Sequence, residues 1–309
     1  MVSELPLVAF NAQLASGATS YRSAGISAYI LNLLRALSRQ EGLRYTIFVG
    51  DERLPIQIPF STYRSHFPTA SPPARILWEQ LVLPMVLRRL GADLLHAPAF
   101  VGPLLSSCPQ VITVHDLSFL RHPEFFRTGN RIYLKWMTRW SCRRAKGVIA
   151  VSKFTAAEVS ALLGVPPDRV HVVYHGVQPR FHPLPAEEVE LFRRKQGLPD
   201  RFILYLGTLE PRKNLITLIQ SFARLPFPDV HLVLAGGKGW LYEEIFAEVE
   251  RLDLEDRIHF PGYVPAETQT FWYNAAYLFA YLSHYEGFGL PILESLACGT
   301  PALIAEGTS

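Results

Sequence analysis

Two adjacent basic residues, in a loop that begins with a glycine, have the types and spacing to bind a phosphate group. Gly207 precedes the segment TLEPRKN, in which Arg212 and Lys213 stand side by side between a predicted strand and a predicted helix. Open α/β sheets bind ligands at the carboxyl ends of their strands, where this loop begins. Arginine can grip a phosphate with paired hydrogen bonds, and lysine acts as a point charge. The pair could offset charge on a departing diphosphate, although two solvated surface cations would look the same.

A second motif, EGFGLPILE, begins at Glu286 and ends at Glu294, and two glycines lie between these glutamates. Pro291 suits the first position of a helix, so the residues before it form a loop at a helix N-terminus. Backbone N–H groups there favour phosphate or sugar oxygens, and Gly287 and Gly289 allow close approach. Glu286 could bind hydroxyls of a sugar, and Glu294 both hydroxyls of a ribose. Taken singly, either carboxylate would be explained by the helix dipole.

A third glycine loop, LAGGKGW, follows another predicted strand and contains Gly236 and Gly237. It does not match the G-x-G-x-x-G fingerprint of dinucleotide-binding folds. We therefore expect it to line a nucleotide pocket rather than to bind a dinucleotide.

Short apolar runs alternate with helical patterns from one end of the chain to the other, which predicts parallel sheets covered by helices. Strands are predicted at 6–11, 45–49, 93–97, 111–114, 147–151, 170–174, 202–206, 230–235, 258–260, 278–281 and 301–304. Helices are predicted near 26–38, 214–224, 241–252, 267–274 and 291–298.

The order of these elements predicts two doubly wound domains. We expect a first domain at residues 1–180, a linker with some helix at 181–200, and a second domain at 201–309. The last predicted strand lies four or five residues from the end, with no covering helix after it, although parallel strands need cover on both faces. We therefore expect a C-terminally truncated fragment whose second domain is incomplete.

Composition is that of a globular protein, with 49% hydrophobic and 18% charged residues. The three cysteines have no metal or disulfide spacing and indicate a reducing compartment. No secretory signal is visible, and the charge-free stretch 94–115 contains three prolines and is typical of strand, loop and strand rather than of a membrane span. We expect a soluble, cytoplasmic protein.

Charge is distributed unevenly, with a net charge of +10 over residues 1–182 and −7 over residues 183–309. Either the first part binds an anionic partner, or the two parts of the chain attract each other.

Five basic residues recur at every fourth position, and we call them the basic row: Arg127, Arg131, Lys135, Arg139 and Arg143. On a helix, with Trp136 and Trp140 between them, they could rest on an anionic membrane at its inner face. A solvated face over a buried aromatic stripe is the alternative.

Read together, TLEPRKN, LAGGKGW and HYEGFGLPILESLACGTP resemble the retaining glycosyltransferases of family 4, which carry a Glu-x7-Glu motif. The segments VHDLSFL, VIAVSKFT and RVHVVYHGV are similar to parts of bacterial mannosyl- and glucosyltransferases of that family. The resemblance implies the GT-B fold: two Rossmann-like, doubly wound parallel-sheet domains facing a cleft. It also implies a C-terminal helix that returns to the first domain, and without it we expect weak donor binding and little turnover.

The resemblance assigns roles to individual residues. It implies that Arg212 and Lys213 contact the donor diphosphate, that Glu286 contacts the transferred sugar, and that Glu294 binds the ribose. The catalytic residues predicted are His115, Arg212, Lys213 and Glu286. The donor-binding residues predicted are Gly25, Gly207, Gly236, Gly237, Gly287, Phe288, Gly289, Leu290 and Glu294.

Two of these residues belong to the first domain. Gly25 matches a glycine-rich phosphate loop before the first helix, although Ser27 and Ala28 depart from the family's Gly-Arg at those positions. His115 matches a histidine that lies at the donor sugar near the acceptor.

The activity implied is transfer of a mannose- or glucose-type hexose from a UDP- or GDP-sugar to a glycan or lipid-linked acceptor, with retention. No Asp-x-Asp motif occurs, so no metal or other cofactor is expected, and the two cations would replace Mg²⁺. The alternatives are a non-catalytic nucleotide-sugar-binding fragment, or a sugar-nucleotide epimerase or phosphorylase of the same architecture. Nucleic acid is not expected as a partner, because no known module accompanies the basic residues.

Overall fold

Two units, each built on one parallel β-sheet, make up the protein. The computed structural model describes residues 5–15, 24–50, 56–65, 67–126 and 128–307. One unit comprises Met1–Tyr174 and the other His175–Ser309.

The first unit contains a seven-stranded sheet with the order β3-β2-β1-β4-β5-β6-β7. Its strands are β1 Leu7–Asn11, β2 Arg44–Val49, β3 Ser61–Arg64, β4 Leu94–Ala97, β5 Gln110–Val114, β6 Gly147–Ala150 and β7 Val170–Val172. Every pairing is parallel. Successive residues point to opposite faces, so Phe10 packs under the first helix while Ala9 packs on the other side.

Helices cover both faces of this sheet. They are α1 Ala24–Leu37, α2 Pro72–Leu77, α3 Leu83–Leu90, α4 Ser118–Arg121, α5 Thr128–Arg144 and α6 Lys153–Glu158. A π-helical segment, Trp78–Val82, joins α2 to α3 without a break, and we call the whole the α2–α3 helix. Pro84 lacks the N–H that an α-helix needs at that point, and the wider turn, in which Leu83 N–H donates to the Trp78 carbonyl, accommodates it.

The second unit contains a five-stranded sheet with the order β10-β9-β8-β11-β12. Its strands are β8 Phe202–Leu206, β9 His231–Ala235, β10 Ile258–Gly262, β11 Leu278–Tyr281 and β12 Ala302–Ile304. Its helices are α7 Ala186–Gln196, α8 Leu215–Ala223, α9 Glu243–Arg251, α10 Gln269–Ala275 and α11 Leu290–Ala297. All five residues of β8 are buried, as expected for a parallel strand covered on both faces.

The predicted strands all occur, with ends shifted by at most two residues. The edge strand β3 was not predicted. All five predicted helices occur, with starts shifted by one or two residues. Gly25 therefore lies inside the first turn of α1 rather than in the loop before it, and α11 begins at Leu290, which makes Pro291 its second residue. The stretch 94–115 forms β4, a loop and β5. Among the described residues, no helix has the length and apolarity to cross a bilayer.

Candidate functional site

The loop between β8 and α8 presents the two cations of TLEPRKN. Pro211–Lys213 form a single 3-10 turn, and Asn214 then takes a left-handed conformation with φ of 56° before α8 begins. Asparagine tolerates this conformation better than most residues, which lets the chain turn sharply into the helix. The turn leaves the Lys213 side chain only 9% exposed.

A network of charged groups surrounds Lys213. Its Nζ donates to Oε1 of Glu286 over 2.5 Å and to the hydroxyl of Tyr281 over 2.8 Å. Arg212 lies 3.2 Å from the same Oε1 and donates to the backbone carbonyl of Tyr285. Its other nitrogens donate to Oε1 of Glu210. Two cations and two carboxylates therefore meet at the carboxyl end of the sheet.

Electrostatics keep the pair of Lys213 and Glu286 ionised. Burial would raise the pKa of Glu286, but Lys213 and Arg212 outweigh it and lower that pKa to about 2. Burial would likewise lower the pKa of Lys213, and the charge of Glu286 reverses the effect so that the pKa is raised. Tyr281 is different, because burial raises the pKa of its hydroxyl and keeps it protonated. The site thus contains a fixed ion pair with a neutral hydroxyl beside it.

The two glycine loops of the second unit are joined along their backbones. Gly207 N–H donates to the Ala235 carbonyl, Leu209 N–H to the Gly237 carbonyl, and Gly239 N–H back to the Leu209 carbonyl. A Cβ on Gly236 would lie 1.7 Å from the carbonyl oxygen of Gly207. The absence of a side chain at Gly236 is therefore a packing requirement, and it fixes the position of the loop that leads to the cations.

The loop of EGFGLPILE runs from β11 into α11. Gly289 caps the helix with φ of +79°, a conformation that favours glycine, and a Cβ there would lie 2.8 Å from Ile292. His284 N–H donates to the carbonyl of Arg212, which ties this loop to the cation loop. Phe288 packs edge-on against His175 with ring centroids 4.9 Å apart.

Glu294 lies on α11, one turn beyond the capping glycine. Its Oε2 accepts a hydrogen bond of 2.9 Å from the hydroxyl of the buried Tyr273 on α10. Burial raises the pKa of Glu294, and the Tyr273 bond and the charge of Arg180 oppose that rise. Tyr273 thus orients one carboxylate oxygen.

In the first unit, His115 follows β5 and lies between two aromatic rings. Tyr29 and Phe100 contact its ring at centroid distances of 4.7 and 5.7 Å. Its Nε2 lies 2.8 Å from the carbonyl of Pro98, and because a carbonyl only accepts, Nε2 carries a proton. Burial lowers the pKa of His115. The hydrogen bond to the Pro98 carbonyl and the charge of Asp116 act in the opposite direction, but the effect of burial is larger. The imidazole is therefore neutral at pH 7.

The structure brings Arg212, Lys213 and Glu286 into direct contact, and Gly207 and Gly236 support them from the adjoining loops. Among the described residues, no atom beyond its chain neighbours and its own helix backbone lies within 4 Å of a Cβ built on Gly25. Most of the loop before Gly25 lies outside the described residues. The basic row does fall on one helix, α5, although Arg127 lies outside the described residues.

Two residues of this site were missed at the sequence level, Tyr281 and Tyr273. The first ends a strand at the edge where ligands bind, a signal that could have found it. The second lies within the pattern of an ordinary amphipathic helix, and only the fold shows its contact with Glu294.

Comparison with known proteins shows the family of this chain. The family model described as Glycosyltransferase Family 4 matches residues 23–181, just over half of the chain. The chain belongs to this family. A second model, described as Glycosyl transferases group 1, matches residues 188–309, which include both glutamates of the Glu-x7-Glu motif.

Among curated relatives of this family 4 chain, O-antigen chain mannosyltransferase B of Escherichia coli is 36% identical over 218 residues. That match covers 69% of this chain and 57% of the relative. The serotype-specific mannosyltransferase WbdA of Escherichia coli is 33% identical over 209 residues, or 64% of this chain and 25% of WbdA. The chain thus spans little more than half the length of the first relative.

Solved structures show the same architecture. Sucrose-phosphate synthase from Thermosynechococcus elongatus superposes with a TM-score of 0.75 at 22% identity, covering 97% of this chain and 81% of that one. HepE from Anabaena, solved with UDP and glucose, gives 0.72 at 21% identity, covering 98% and 81%. With the two parallel-sheet units, these matches confirm the predicted GT-B fold.

Proposed function

We propose that this family 4 chain carries out the transfer of a hexose, of mannose type, from a nucleotide sugar to a growing glycan or a lipid-linked acceptor. The observation that carries the proposal is the cluster of Lys213, Arg212 and Glu286 at the carboxyl end of the second sheet. A diphosphate leaving group needs fixed positive charge at its oxygens, and a carboxylate beside it can accept sugar hydroxyls. The named relatives, which are mannosyltransferases, favour mannose.

For the reaction course we propose retention at the anomeric carbon. The bond between that carbon and the diphosphate oxygen breaks with its electron pair going to the diphosphate, and the acceptor oxygen bonds to the carbon on the same face. The acceptor proton passes to the departing phosphate oxygen. Glu286 is a poor candidate for that proton, because its pKa is lowered to about 2 and its Oε1 already accepts from Lys213.

We further propose that the two cations supply the charge that a metal ion supplies elsewhere, so that no metal is needed. The first-unit residues Gly25 and His115 would contact donor phosphate and donor sugar. Glu294, with Oε2 oriented by Tyr273, would bind the ribose.

We propose a cytoplasmic location at the inner face of the membrane. This location suits a lipid-linked acceptor, and a reducing compartment suits the three unpaired cysteines.

Calorimetric titration with GDP-mannose and UDP-glucose tests the donor. We expect saturable binding of one nucleotide sugar, unaffected by EDTA, and a loss on the order of a hundredfold in affinity for Lys213→Met, since a buried charge contact to phosphate is removed. The matched control is Lys195→Met, an exposed cation at the end of α7. If neither nucleotide sugar binds, the transferase proposal is overturned. Conversion of a bound sugar to its epimer without release of nucleoside diphosphate would favour an epimerase.

A further inference from the structure

Two aromatic rings flank His115 and set the orientation of its imidazole. Tyr29 of α1 contacts it edge-to-face at an interplanar angle of 79°, and Phe100, from the loop between β4 and β5, does so at 69°. Edge-to-face contacts between rings are directional, so a shift of either ring turns or moves the imidazole. The proposed role of His115 at the donor sugar therefore depends on what fixes Tyr29 and Phe100.

The side chain of Thr113 fixes the first ring. Thr113 is the fourth residue of β5, two positions before His115, and it is completely buried. Its Oγ1 lies 3.3 Å from the hydroxyl of Tyr29 and 3.1 Å from Nε2 of His96 on β4. A threonine hydroxyl has one hydrogen and two lone pairs, so it can donate to one neighbour while it accepts from the other. Because a buried polar group without a partner costs free energy, this bond keeps the Tyr29 hydroxyl at Thr113.

His96 supports Thr113 from the neighbouring strand. Its ring packs edge-to-face on Phe10 of β1, with ring centroids 4.9 Å apart. Burial lowers the pKa of His96 to about 4, and the nearby His115 acts in the same direction. The His96 ring is therefore neutral at pH 7 and forms an uncharged hydrogen bond with Thr113. The hydrogen bonds from His96 through Thr113 to Tyr29 are thus anchored in the core of the sheet.

The backbone of Thr113 fixes the second ring. Phe100 N–H donates to the Thr113 carbonyl over 2.9 Å. Phe100 itself has φ of 56°, in the left-handed region, where a bulky side chain is strained. Strain of this kind persists only where the surrounding structure imposes it, and it is concentrated at functional sites. One residue therefore holds both rings, Tyr29 through its hydroxyl and Phe100 through its carbonyl.

We propose that Thr113 is the positioning residue for His115 in the proposed transfer. It acts through the two rings, since its own side chain is buried and its hydroxyl is already engaged by Tyr29 and His96. The proposal rests on the proposed role of His115 and adds the residue that sets its geometry. A purely structural role would affect stability alone, whereas a positioning role also lowers the rate of the chemical step.

Turnover by variants of Thr113 tests the effect on rate. Thr113→Val keeps the branched shape and the backbone bond to Phe100 but removes the hydroxyl. We expect kcat for release of nucleoside diphosphate to fall on the order of tenfold, while KM for the donor changes by less than about twofold. Thr113→Ser restores the hydroxyl and should recover most of the rate. The control is Thr46→Val on β2, a strand that β1 and β4 separate from β5, and it should leave kcat unchanged.

The position of His115 can be measured without turnover, by NMR of protein that contains isotope-labelled histidine. Ring currents from Tyr29 and Phe100 displace the Cε1–H resonance of His115, which is identified by its loss in His115→Gln. We expect Thr113→Val to move this resonance towards that of an ordinary imidazole, and Thr113→Ser to leave it close to its original place. His231, in the second unit, is the internal reference, and its resonance should not move.

Three results would overturn the proposal. The first is an unchanged His115 resonance in Thr113→Val, whatever happens to the rate. The second is a displaced resonance with an unchanged kcat. The third is an equal loss of rate in Thr113→Ser and Thr113→Val, which would assign the effect to packing rather than to the hydroxyl. If the unmodified chain releases no nucleoside diphosphate, the transferase proposal fails by itself, and the resonance still decides whether Thr113 positions His115.

Discussion

At the scale of single residues, the buried pair of Lys213 and Glu286 makes a specific prediction about pH. Glu286 has a pKa of about 2 in the folded chain, below its ordinary value of 4.5. A group whose pKa is lowered by folding stabilises the fold above its unfolded pKa, and this stabilisation is lost as the pH falls towards the folded value. Replacing the carboxylate removes the contribution and leaves Lys213 buried without its counter-ion.

We therefore expect Glu286→Gln to lower the free energy of unfolding by about 3 kcal/mol above pH 5, and by progressively less as the pH falls towards 2. Urea unfolding at a series of pH values measures this difference. Glu255→Gln, at an exposed position, is the control and should show no such trend. A difference that stays constant with pH would contradict the ion pair.

Tyr281 yields a second residue-scale prediction, because its hydroxyl accepts from Lys213 and donates to Glu286 over 3.2 Å. Tyr281→Phe keeps the ring and removes the group that positions both partners. For the proposed transfer we expect kcat to fall by about ten- to a hundredfold while KM for the donor changes less. Release of nucleoside diphosphate measures the rate, and Tyr263→Phe, at an exposed ring, serves as control. A change confined to KM would assign Tyr281 to binding instead.

Single residues also show which parts of the site can be predicted from the sequence and which cannot. Arg212 and Lys213 were singled out because their loop follows a predicted strand of a parallel sheet, and Glu286 because it begins a glycine loop before a predicted helix. Their shared role at the donor was predicted from the resemblance to family 4. Their mutual contact was not predicted, because side-chain pairing depends on how β8 and β11 lie next to each other. Tyr273 was not predicted for the same reason, because its hydrogen bond to Glu294 depends on the packing of α10 against α11.

At the scale of elements, the loops that carry the cations depend on one glycine. Gly236 has φ of +153°, and a Cβ there would meet the Gly207 carbonyl at 1.7 Å. In the part of the chain that the structure describes, no atom beyond its chain neighbours lies within 4 Å of a Cβ on Gly237. Gly236→Ala should lower the free energy of unfolding by about 3 kcal/mol and weaken donor binding, because the backbone must move. Gly237→Ala, next to it, should cost about 1 kcal/mol or less. Urea unfolding of both variants measures the contrast, and equal losses would refute the close packing.

The elements also explain which predictions failed. Strands β8 and β11 were predicted at their observed limits, because each is a short apolar run that is buried in the sheet. Strand β3, STYR, is polar and mostly exposed at the sheet edge, so its sequence contains no hydrophobic signal. The α2–α3 helix was not predicted either, because it continues through Pro84 by way of a π-helical segment, whereas a proline normally indicates the end of a helix.

At the scale of the whole molecule, each unit has hydrophobic cores of its own. The cluster of the second unit runs from Phe181 to Cys298, and the three clusters of the first unit share no residue with it. Each unit also contains a buried thiol: Cys142 in the first and Cys298 in the second. Burial raises the pKa of Cys142 to about 12 and that of Cys298 to about 11, so both are thiols at pH 8 and react slowly.

These two thiols can therefore report the unfolding of each unit separately. With a thiol reagent and peptide mass spectrometry across a urea series, we expect Cys142 and Cys298 to be labelled only as their own units open. Gly236→Ala should move the urea midpoint for Cys298 to lower concentration and leave that for Cys142 nearly unchanged, because the strained loop belongs to the second unit alone. Gly237→Ala is the control and should move neither midpoint appreciably. Equal shifts at both cysteines would show instead that the two cores unfold as one cooperative structure.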